Sequence, residues 1–390
     1  MMDYDPQWEE VSFQEWAMRL ACEFKIAGAD LTARVSQFFD SNGQAFEALI
    51  DTPRMQRLSG RRQFGERRYR VEDSGASLLA RPFPHTRLTH VQQVAAHVLP
   101  AGLWLSLCDR DLKTLVCAAL LHDVDHPVFS HTGDRWLMRE LRLADHEERA
   151  CQTVCTDVEI RSALRQLDVR PEDVASVIRE QGTLGRILSL VDTLAYVQLD
   201  GRIMGLVRPR NLRFGVDVLM NLVAVCDSGF TVKRIEPMQD VLNLRHRLFD
   251  TLYNNVPSRA GNLVAELLLS AGHAQGLVTE LDVRFLSCTT MEQRMRAELA
   301  GQTEWLQSAI DILLCGWNAA GPWKVTLVQT EAEVTDLRAD HQHTLVSPPM
   351  NTRSKTYVCW VTGDAVQELT AHGAISGSRT QYLVLTYEGV

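Results

Sequence analysis

The chain has 390 residues, 45% of them apolar and 23% charged, a composition that excludes a disordered or collagen-like protein. Forty basic residues against 49 acidic ones give a net charge of -9, which argues against broad binding to nucleic acid or to an anionic membrane. The longest apolar run, 115–121, is too short to cross a bilayer, and no signal peptide is visible. With nine irregularly spaced cysteines, these features predict a reduced, cytoplasmic protein.

Apolar residues recur at helical spacing through most of the chain, up to about residue 320. We expect Pro100 to end one helix, Asp111 to be the N-cap of the next, and Pro127 to prevent that second helix from continuing. A longer helical pattern is split near Pro257. The helices are predicted over 88–99, 111–123, 186–200 and 239–272.

The C-terminal part of the chain has a different pattern. Three segments rich in β-branched and aromatic residues predict strands over 324–329, 356–362 and 381–387. Two short helical patterns, 331–338 and 364–372, lie between them. The predicted fold class is therefore mainly α, a helical body followed by a small α+β appendage.

Arginines are concentrated between residues 54 and 87. This stretch holds nine arginines and only three acids in a chain that is acidic as a whole. It is either a solvated loop or a segment that faces phosphate, since guanidinium groups bind phosphate oxygens in pairs.

Histidines are also clustered. Seven of the twelve fall between residues 85 and 146, mixed with aspartates, a pattern typical of metal binding or acid/base chemistry. They are His85, His90, His97, His122, His126, His131 and His146.

The adjacent pair His122-Asp123 stands at the polar end of an apolar helix. Burying such a pair is costly unless both groups are satisfied, and one divalent cation satisfies both. His90 and Asp192 lie in two other apolar helices, where each is either a further ligand of the same cation or an ordinary core or surface residue. Tyr196 and Asp200 follow Asp192 at intervals of one turn, so the three can line one stripe.

These residues resemble the H…HD…D signature of the HD-domain metal-dependent phosphohydrolases. The segment 122–134 follows the extended HDxxHxxFSHxxD pattern of the deoxynucleoside triphosphate triphosphohydrolase branch, which includes the bacterial dGTP triphosphohydrolases and the mammalian SAM-and-HD-domain enzyme. The segment 51–58, the Arg87-x-x-His90 motif and the spacing of Asp192, Tyr196 and Asp200 are similar to that branch as well. The resemblance covers about residues 45 to 275.

The resemblance implies three groups of site residues. One divalent cation (Mn, Mg, Fe, Zn or Ni) would be held by His90, His122, Asp123 and Asp192. Acid/base and phosphate-handling roles would fall to His126, His131, Asp134 and His146. Contacts to the nucleotide would come from Gln63, Arg87, Tyr196 and Asp200, the last two facing the sugar.

A cation held by two imidazoles and two carboxylates keeps open positions and makes hydroxide available near neutral pH. We expect His131 to be the acid to the departing oxygen, with Asp134 orienting a neighbouring histidine. The implied reaction is hydrolysis of a deoxynucleoside triphosphate at the α-phosphorus, giving deoxynucleoside and inorganic triphosphate.

Two other functions fit the same residues. One is an HD phosphohydrolase acting on a nucleoside monophosphate, a cyclic nucleotide or a signalling nucleotide. The other is a nucleotide-sensing module without catalysis. In each case the partner is a nucleotide, no membrane is involved, and a homo-oligomer is expected from the habit of the family.

The chain departs from the family pattern at several positions. Asp125 stands where glycine is frequent, and Thr193 where the mammalian relative has a phosphate-contacting lysine. Asn255 and Arg259 align with an expected arginine and histidine. The expected division is an N-terminal helical extension (1–45), an HD domain (46–320, with its core motifs in 85–200) and the α+β region (321–390).

Overall fold

The protein is described from a computed structural model. It describes residues 11–63, 68–72, 78–82, 85–207, 213–315, 323–340, 344–346, 357–361, 366–369 and 382–387. Within these ranges, no helix combines the length and the apolar character that crossing a bilayer requires.

Seventeen α-helices make up most of the described residues and confirm the mainly α fold class. They are Phe13–Ile26 (α1), Thr32–Ile50 (α2), Pro53–Gln56 (α3), Arg87–Trp104 (α4), Asp109–Leu121 (α5), His131–Leu141 (α6), His146–Thr156 (α7), Val158–Gln166 (α8), Pro171–Ile178 (α9), Gly182–Ile203 (α10), Arg213–Asn221 (α11), Glu236–Leu248 (α12), Val256–Ala274 (α13), Glu280–Phe285 (α14), Cys288–Leu299 (α15), Glu304–Cys315 (α16) and Glu331–Asp340 (α17). A 3-10 turn, Arg57–Gly60, follows α3, and a π-helical turn, Phe249–Tyr253, follows α12.

Nine strands form three small sheets in the described residues. They are Arg68–Glu72 (β1), Leu78–Pro82 (β2), Leu222–Cys226 (β3), Gly229–Val232 (β4), Trp323–Val328 (β5), Thr344–Val346 (β6), Tyr357–Val361 (β7), Val366–Leu369 (β8) and Tyr382–Tyr387 (β9). The sheets have the strand orders β1-β2, β3-β4-β7-β8 and β5-β9-β6. Strand β7 pairs in parallel with β4, with Phe230 opposite Cys359, so the C-terminal region joins a hairpin of the helical body.

Helix α4 is buried on almost every side, and it continues past a proline that was expected to end it. Its N-cap is Thr86, whose side chain accepts a hydrogen bond from the Thr89 N–H. Pro100 was expected to end this helix, but the helix continues to Trp104 with Pro100 inside it. Proline removes one backbone hydrogen bond, and burial of the following turn, including Leu103, outweighs that loss.

Helix α5 begins earlier than the sequence indicated. Its N-cap is Cys108 rather than Asp111, and Asp111 lies in the first turn together with Asp109. Both carboxylates are there favourably placed near the positive end of the helix dipole. The helix ends at Leu121, well before Pro127, as predicted.

The main hydrophobic core joins α1 and α2 to α4, α5 and α10. Trp16, Leu99, Leu115 and Leu190 are each at most 1% exposed in it. Replacing one such leucine with alanine would cost roughly 2–5 kcal/mol of the free energy of unfolding. This core fixes the three helices that carry the predicted metal ligands.

The small α+β appendage is also present. Strands β5, β7 and β9 and helix α17 form where the sequence predicted them. The predicted helix 364–372 is wrong in its described part, because Val366–Leu369 is a strand that pairs antiparallel with β7. Apolar residues at both ends of this short segment fit a helix turn as well as an edge strand, and pairing with β7 decides between them.

Candidate metal centre and neighbouring histidine cluster

The four predicted metal ligands lie together, although they come from three separate segments. His90 is in the first turns of α4, His122 and Asp123 directly follow α5, and Asp192 is in the middle of α10. His90 Nε2 lies 3.0 Å from Asp192 Oδ1 and 3.8 Å from Asp123 Oδ2. His122 Nε2 lies 3.7 Å from an oxygen of each aspartate.

The donor set fits a divalent cation. His90, His122 and Asp192 each offer one ligand atom, and these three atoms lie within 4.8 Å of one another. The Nδ1 of His122 lies 2.9 Å from the Ala119 carbonyl oxygen, to which it donates, so its Nε2 lone pair faces the cluster. Imidazole nitrogen and carboxylate oxygen are suitable ligands for first-row divalent metals. Asp123 is the fourth residue that could hold the ion.

The cluster is buried on one side and open on the other. The side chain of His90 is 2% exposed, whereas that of Asp192 is 31% exposed. Burial acts to raise the pKa of Asp192, but the hydrogen bond from His90 and the charges of His90 and His122 together lower that pKa. Solvent and a ligand can therefore approach from the Asp192 side.

Asp123 is held ionised by a buried arginine. Arg87 Nη1 donates to Asp123 Oδ2 at 2.6 Å, and both side chains are 4% exposed. Burial alone would raise the pKa of Asp123, but the charge of Arg87 and the neighbouring imidazoles hold it well below its usual range. Arg87 was predicted to contact the nucleotide, and it lies at the metal cluster.

A second group of histidines adjoins the first. His126, His131 and His146 bring ring nitrogens within 4.8 Å of one another. The ring of His126 stacks on that of His146 with 3.8 Å between centroids, and His131 stands edge-on to His126 at 4.9 Å. His126 Nε2 lies 3.2 Å from Asp123 Oδ1, so the two groups share a border. His131 is the exposed member of the second group.

His126 is buried, and its charged form is disfavoured. Burial lowers its pKa well below the usual value, and the positive charge of Arg87 adds to the effect. The imidazole of His126 is therefore neutral at physiological pH. A neutral ring can accept a hydrogen bond or a proton beside the metal cluster.

Asp134 orients one of these histidines. Its Oδ2 accepts a hydrogen bond from His146 Nδ1 at 2.9 Å, and its Oδ1 accepts one from Arg149 Nη2 at 2.9 Å. Burial would raise the pKa of Asp134, but these two partners lower it. A carboxylate bound to Nδ1 fixes the histidine tautomer whose Nε2 accepts.

The residues predicted to face the sugar are bonded to other protein groups. Asp200 is 1% exposed. Its Oδ1 lies 3.2 Å from His85 Nε2, and its Oδ2 accepts a hydrogen bond from the Tyr253 hydroxyl. Tyr196 accepts a hydrogen bond from Arg245 Nε at 2.7 Å. The carbonyl of Gln63 lies beside Arg87, and its side-chain oxygen is buried without a hydrogen-bond partner in the described residues.

Asp125, the position where glycine is frequent, is 1% exposed and does not face solvent. Thr153 Oγ1 donates to its Oδ2 at 2.8 Å. Arg284 Nη2 and Arg149 Nε lie 3.5 and 3.7 Å from its oxygens. Asp125 is therefore a buried counter-ion for arginines next to the loop that carries the metal pair.

Arginines from the basic stretch hold that loop in place. Arg57 donates to the carbonyl oxygens of Val124 and His126, and Arg61 donates to the carbonyl oxygen of Arg284 at 2.8 Å. Burial and the charge of Arg61 lower the pKa of Arg57 to about 9. These guanidinium groups order the backbone that follows the His122-Asp123 pair.

Two further arginines of the stretch also bind protein groups. Arg54 pairs with Asp157 at 3.2 Å, and Arg62 pairs with Glu292 at 2.6 Å. Among the arginines of 54–87 whose side chains the structure describes, Arg87 alone reaches the metal cluster. Arg67 lies outside the described residues.

Some residues at the site were not found from the sequence. Arg149 lies one helical turn after His146 on α7, so helical spacing could have indicated it. Arg245 and Tyr357 come from α12 and β7, far along the chain, and have no local signal. The side chain of Tyr357 is buried near Thr193, the residue next to Asp192.

Comparisons with known proteins agree with this geometry. Residues 87–197 match the family model of the HD domain. The uncharacterised protein YwfO of Bacillus subtilis (strain 168) is 24% identical over 192 residues, which are 46% of this chain and 42% of that protein. The chain thus spans less than half the length of this curated relative.

Two solved structures resemble the fold at 15% sequence identity, a level that shows the fold alone. A phosphohydrolase from Bacteroides thetaiotaomicron VPI-5482 has a TM-score of 0.66, covering 88% of this chain and 95% of that one. A hypothetical protein from Aquifex aeolicus has a TM-score of 0.62, covering 88% and 92%. The predicted metal ligands all fall inside residues 87–197, the segment that matches the HD-domain family model.

Proposed function

We propose that this protein is a metal-dependent phosphohydrolase whose substrate is a nucleotide. The observation that carries the proposal is the convergence of ligand atoms from His90, His122 and Asp192 at one point. The HD-domain match over 87–197 and the likeness to a solved phosphohydrolase support it.

A bound divalent cation would polarise the phosphoryl group and lower the pKa of a water molecule. Arg87, fixed by its ion pair with Asp123, contributes positive charge where phosphate oxygens would lie. In this proposal the exposed imidazole of His131 protonates the departing oxygen. Asp134 keeps His146 in one tautomer beside it.

The proposed substrate is a deoxynucleoside triphosphate, cleaved at the α-phosphorus to deoxynucleoside and inorganic triphosphate. The stripe of Asp192, Tyr196 and Asp200 along α10 and the buried side-chain oxygen of Gln63 support this choice. A second candidate is a different nucleotide, such as a monophosphate, cyclic or signalling nucleotide. The engagement of Asp200 by His85 and Tyr253 favours this candidate, because it leaves Asp200 fewer free positions for a sugar hydroxyl.

The test is metal analysis and product analysis of the same purified protein. Metal-free protein is reloaded with Mn²⁺, Mg²⁺, Fe²⁺, Zn²⁺ or Ni²⁺ and incubated with each deoxynucleoside triphosphate and with the alternative nucleotides. We expect bound metal, with deoxynucleoside and triphosphate as the products. Asp192→Asn should lose both metal and turnover, whereas Asp173→Asn, on the surface, should keep both.

Each outcome separates the candidates. Release of diphosphate or monophosphate, or turnover of another nucleotide alone, would reject the triphosphohydrolase but keep the phosphohydrolase. Nucleotide binding without turnover under any metal would instead indicate a sensing module.

A further inference from the structure

One face of α7 packs against the turn that follows α5. His146, Arg149 and Thr153 lie on this face, because they are three and four residues apart on one helix. Arg149 and Thr153 are buried, whereas Glu148, the residue before Arg149, pairs with Arg179 at the surface. The buried face therefore carries one member of the second histidine group together with a guanidinium group.

The guanidinium of Arg149 joins three segments of the chain. Its Nη2 donates to Asp134 Oδ1 at 2.9 Å and to the Asp125 carbonyl oxygen at 3.2 Å. Its Nη1 donates to the carbonyl oxygen of Ala144, which lies in the loop between α6 and α7. Arg149 thus connects α6, the loop before α7 and the turn after α5.

Asp125 meets the same face of α7 through its side chain. Its Oδ2 accepts a hydrogen bond from Thr153 Oγ1 at 2.8 Å, and its Oδ1 lies 3.7 Å from Arg149 Nε. The next residue in the chain is His126, whose ring stacks on that of His146 with 3.8 Å between centroids. Asp125 therefore holds α7 to the turn at the point where the two histidine rings meet.

The carboxylate of Asp134 depends on Arg149 for a permanent counter-ion. Asp134 is buried, and its other partner is His146 Nδ1, which donates to Oδ2. A buried carboxylate that loses its cation is costly, so it turns towards water or takes up a proton. Either change would remove the acceptor that selects the Nδ1–H tautomer of His146.

We propose that Arg149 is a positioning residue which, held by Asp125, keeps the Asp134 carboxylate against His146 and so fixes the His146 ring beside His126. Its consequence for catalysis rests on the proposed function, whereas the orientation of the ring is measurable without a substrate. The proposal also gives a role to Asp125, which stands where glycine is frequent in the branch that the chain resembles. Glycine has no carboxylate with which to hold α7.

The direct test is nitrogen-15 NMR of the histidine rings in metal-free protein at mildly alkaline pH, with His146→Gln used to assign the His146 signals. We expect wild type to show one tautomer of His146, protonated at Nδ1. Arg149→Met removes the charge and the donors, and it should give a mixture of both tautomers. The matched control is Arg179→Met, which removes the surface pair with Glu148 on α7 and should leave the wild-type spectrum.

A kinetic measurement separates positioning from a contribution to folding. With Mn²⁺ and bis(p-nitrophenyl) phosphate, Arg149→Met should lower kcat by about tenfold or more, part of the usual share of a positioned acid or base, with KM and bound metal unchanged. In the Asp134→Asn background the same substitution should cause little further loss, because both residues act through His146. A purely structural role would instead give independent losses that multiply, and this result would overturn the proposal.

Arg149→Lys decides the question if Arg149→Met does not fold. Lysine keeps the charge but cannot bind all three acceptor groups at once, so we expect a detectable second tautomer and a kcat a few-fold below that of wild type. The proposal is overturned if every Arg149 variant that folds keeps the wild-type tautomer and kcat. Equal changes in Arg179→Met would overturn it as well.

The two proposals fail in different ways. A mixture of His146 tautomers in Arg149→Met, in a protein whose wild type hydrolyses nothing, would reject the phosphohydrolase and keep the positioning role. Hydrolysis by wild type, with tautomer and kcat unchanged in Arg149→Met, would keep the phosphohydrolase and reject the positioning role.

Discussion

Arg87 and Asp123 form an ion pair in which the Nη1 and Oδ2 atoms are 2.6 Å apart and both side chains are 4% exposed. Arg87 Nε also donates to Ser130 Oγ at 3.1 Å. Removing one partner of a buried pair leaves the other charge without compensation. The pair therefore stabilises the fold as well as positioning a candidate metal ligand.

Arg87→Gln should lower the free energy of unfolding of the metal-free protein by about 3 kcal/mol, the usual cost of breaking a buried pair. Urea denaturation measures the change. A divalent metal should reduce the loss, because the cation gives Asp123 a second positive partner. The control is Arg110→Gln, whose pair with Asp173 is largely exposed and whose loss should stay below about 1 kcal/mol. Similar losses in both variants would contradict the argument.

Asp134 binds His146 and Arg149 at once, each at 2.9 Å. The side chain of asparagine has only one oxygen, so its NH₂ group would face either His146 Nδ1 or Arg149 Nη2, both of which donate to Asp134. Asp134→Asn should therefore favour the other tautomer of His146. We expect kcat for the nucleotide that the protein hydrolyses to fall by about a hundredfold or more, the usual share of a positioned acid or base. Metal content should be unchanged, because Asp134 belongs to the second histidine group.

Two measurements make this prediction specific. Metal analysis of Asp134→Asn shows whether a loss of activity comes from the changed orientation of His146 or from loss of the divalent cation. Glu140→Gln, an exposed acid on the same helix, is the control and should keep the wild-type kcat. An unchanged kcat in Asp134→Asn would remove Asp134 and His146 from the chemistry.

The sequence predicted the residues of the candidate metal cluster because these residues break a strong local pattern. His90 and Asp192 are polar groups inside apolar helical runs, and His122-Asp123 ends another such run. A polar residue at a buried position needs a partner, and the partners lie across the helix interface. The same reasoning located the stripe of Tyr196 and Asp200, although not what those two residues bind.

Contacts between segments that are distant in the chain could not be predicted from any local sequence pattern. The hydrogen bond from Arg245 to Tyr196 joins residues 49 positions apart. Tyr357 reaches the site because β7 pairs with β4, and this pairing depends on the whole fold. The hairpin of β3 and β4 was missed for a related reason, since four or five residues carry too little periodicity to distinguish a strand from a helix.

His97 links the stability of the fold to pH. It is 2% exposed, its Nδ1 donates to the Gln93 carbonyl oxygen at 2.8 Å, and its Nε2 lies 3.0 Å from the Gln198 amide. Burial lowers the pKa of His97 more than these hydrogen bonds raise it. The ring is therefore neutral in the folded protein, whereas in the unfolded chain it takes up a proton near a pKa of about 6.5.

Because protonation favours the unfolded chain, the contribution of neutral His97 is complete above pH ~6.5 and is lost as the pH falls below it. We expect the free energy of unfolding to decrease between pH 7.5 and pH 5, and His97→Gln to reduce that slope by up to about 1.4 kcal/mol per pH unit. Urea denaturation of wild type and His97→Gln at several pH values measures the difference between the two slopes. The other titrating groups contribute equally to both slopes, so their contributions cancel in the difference. Identical slopes would show that His97 takes up its proton equally in both states and that its burial has no linkage to stability.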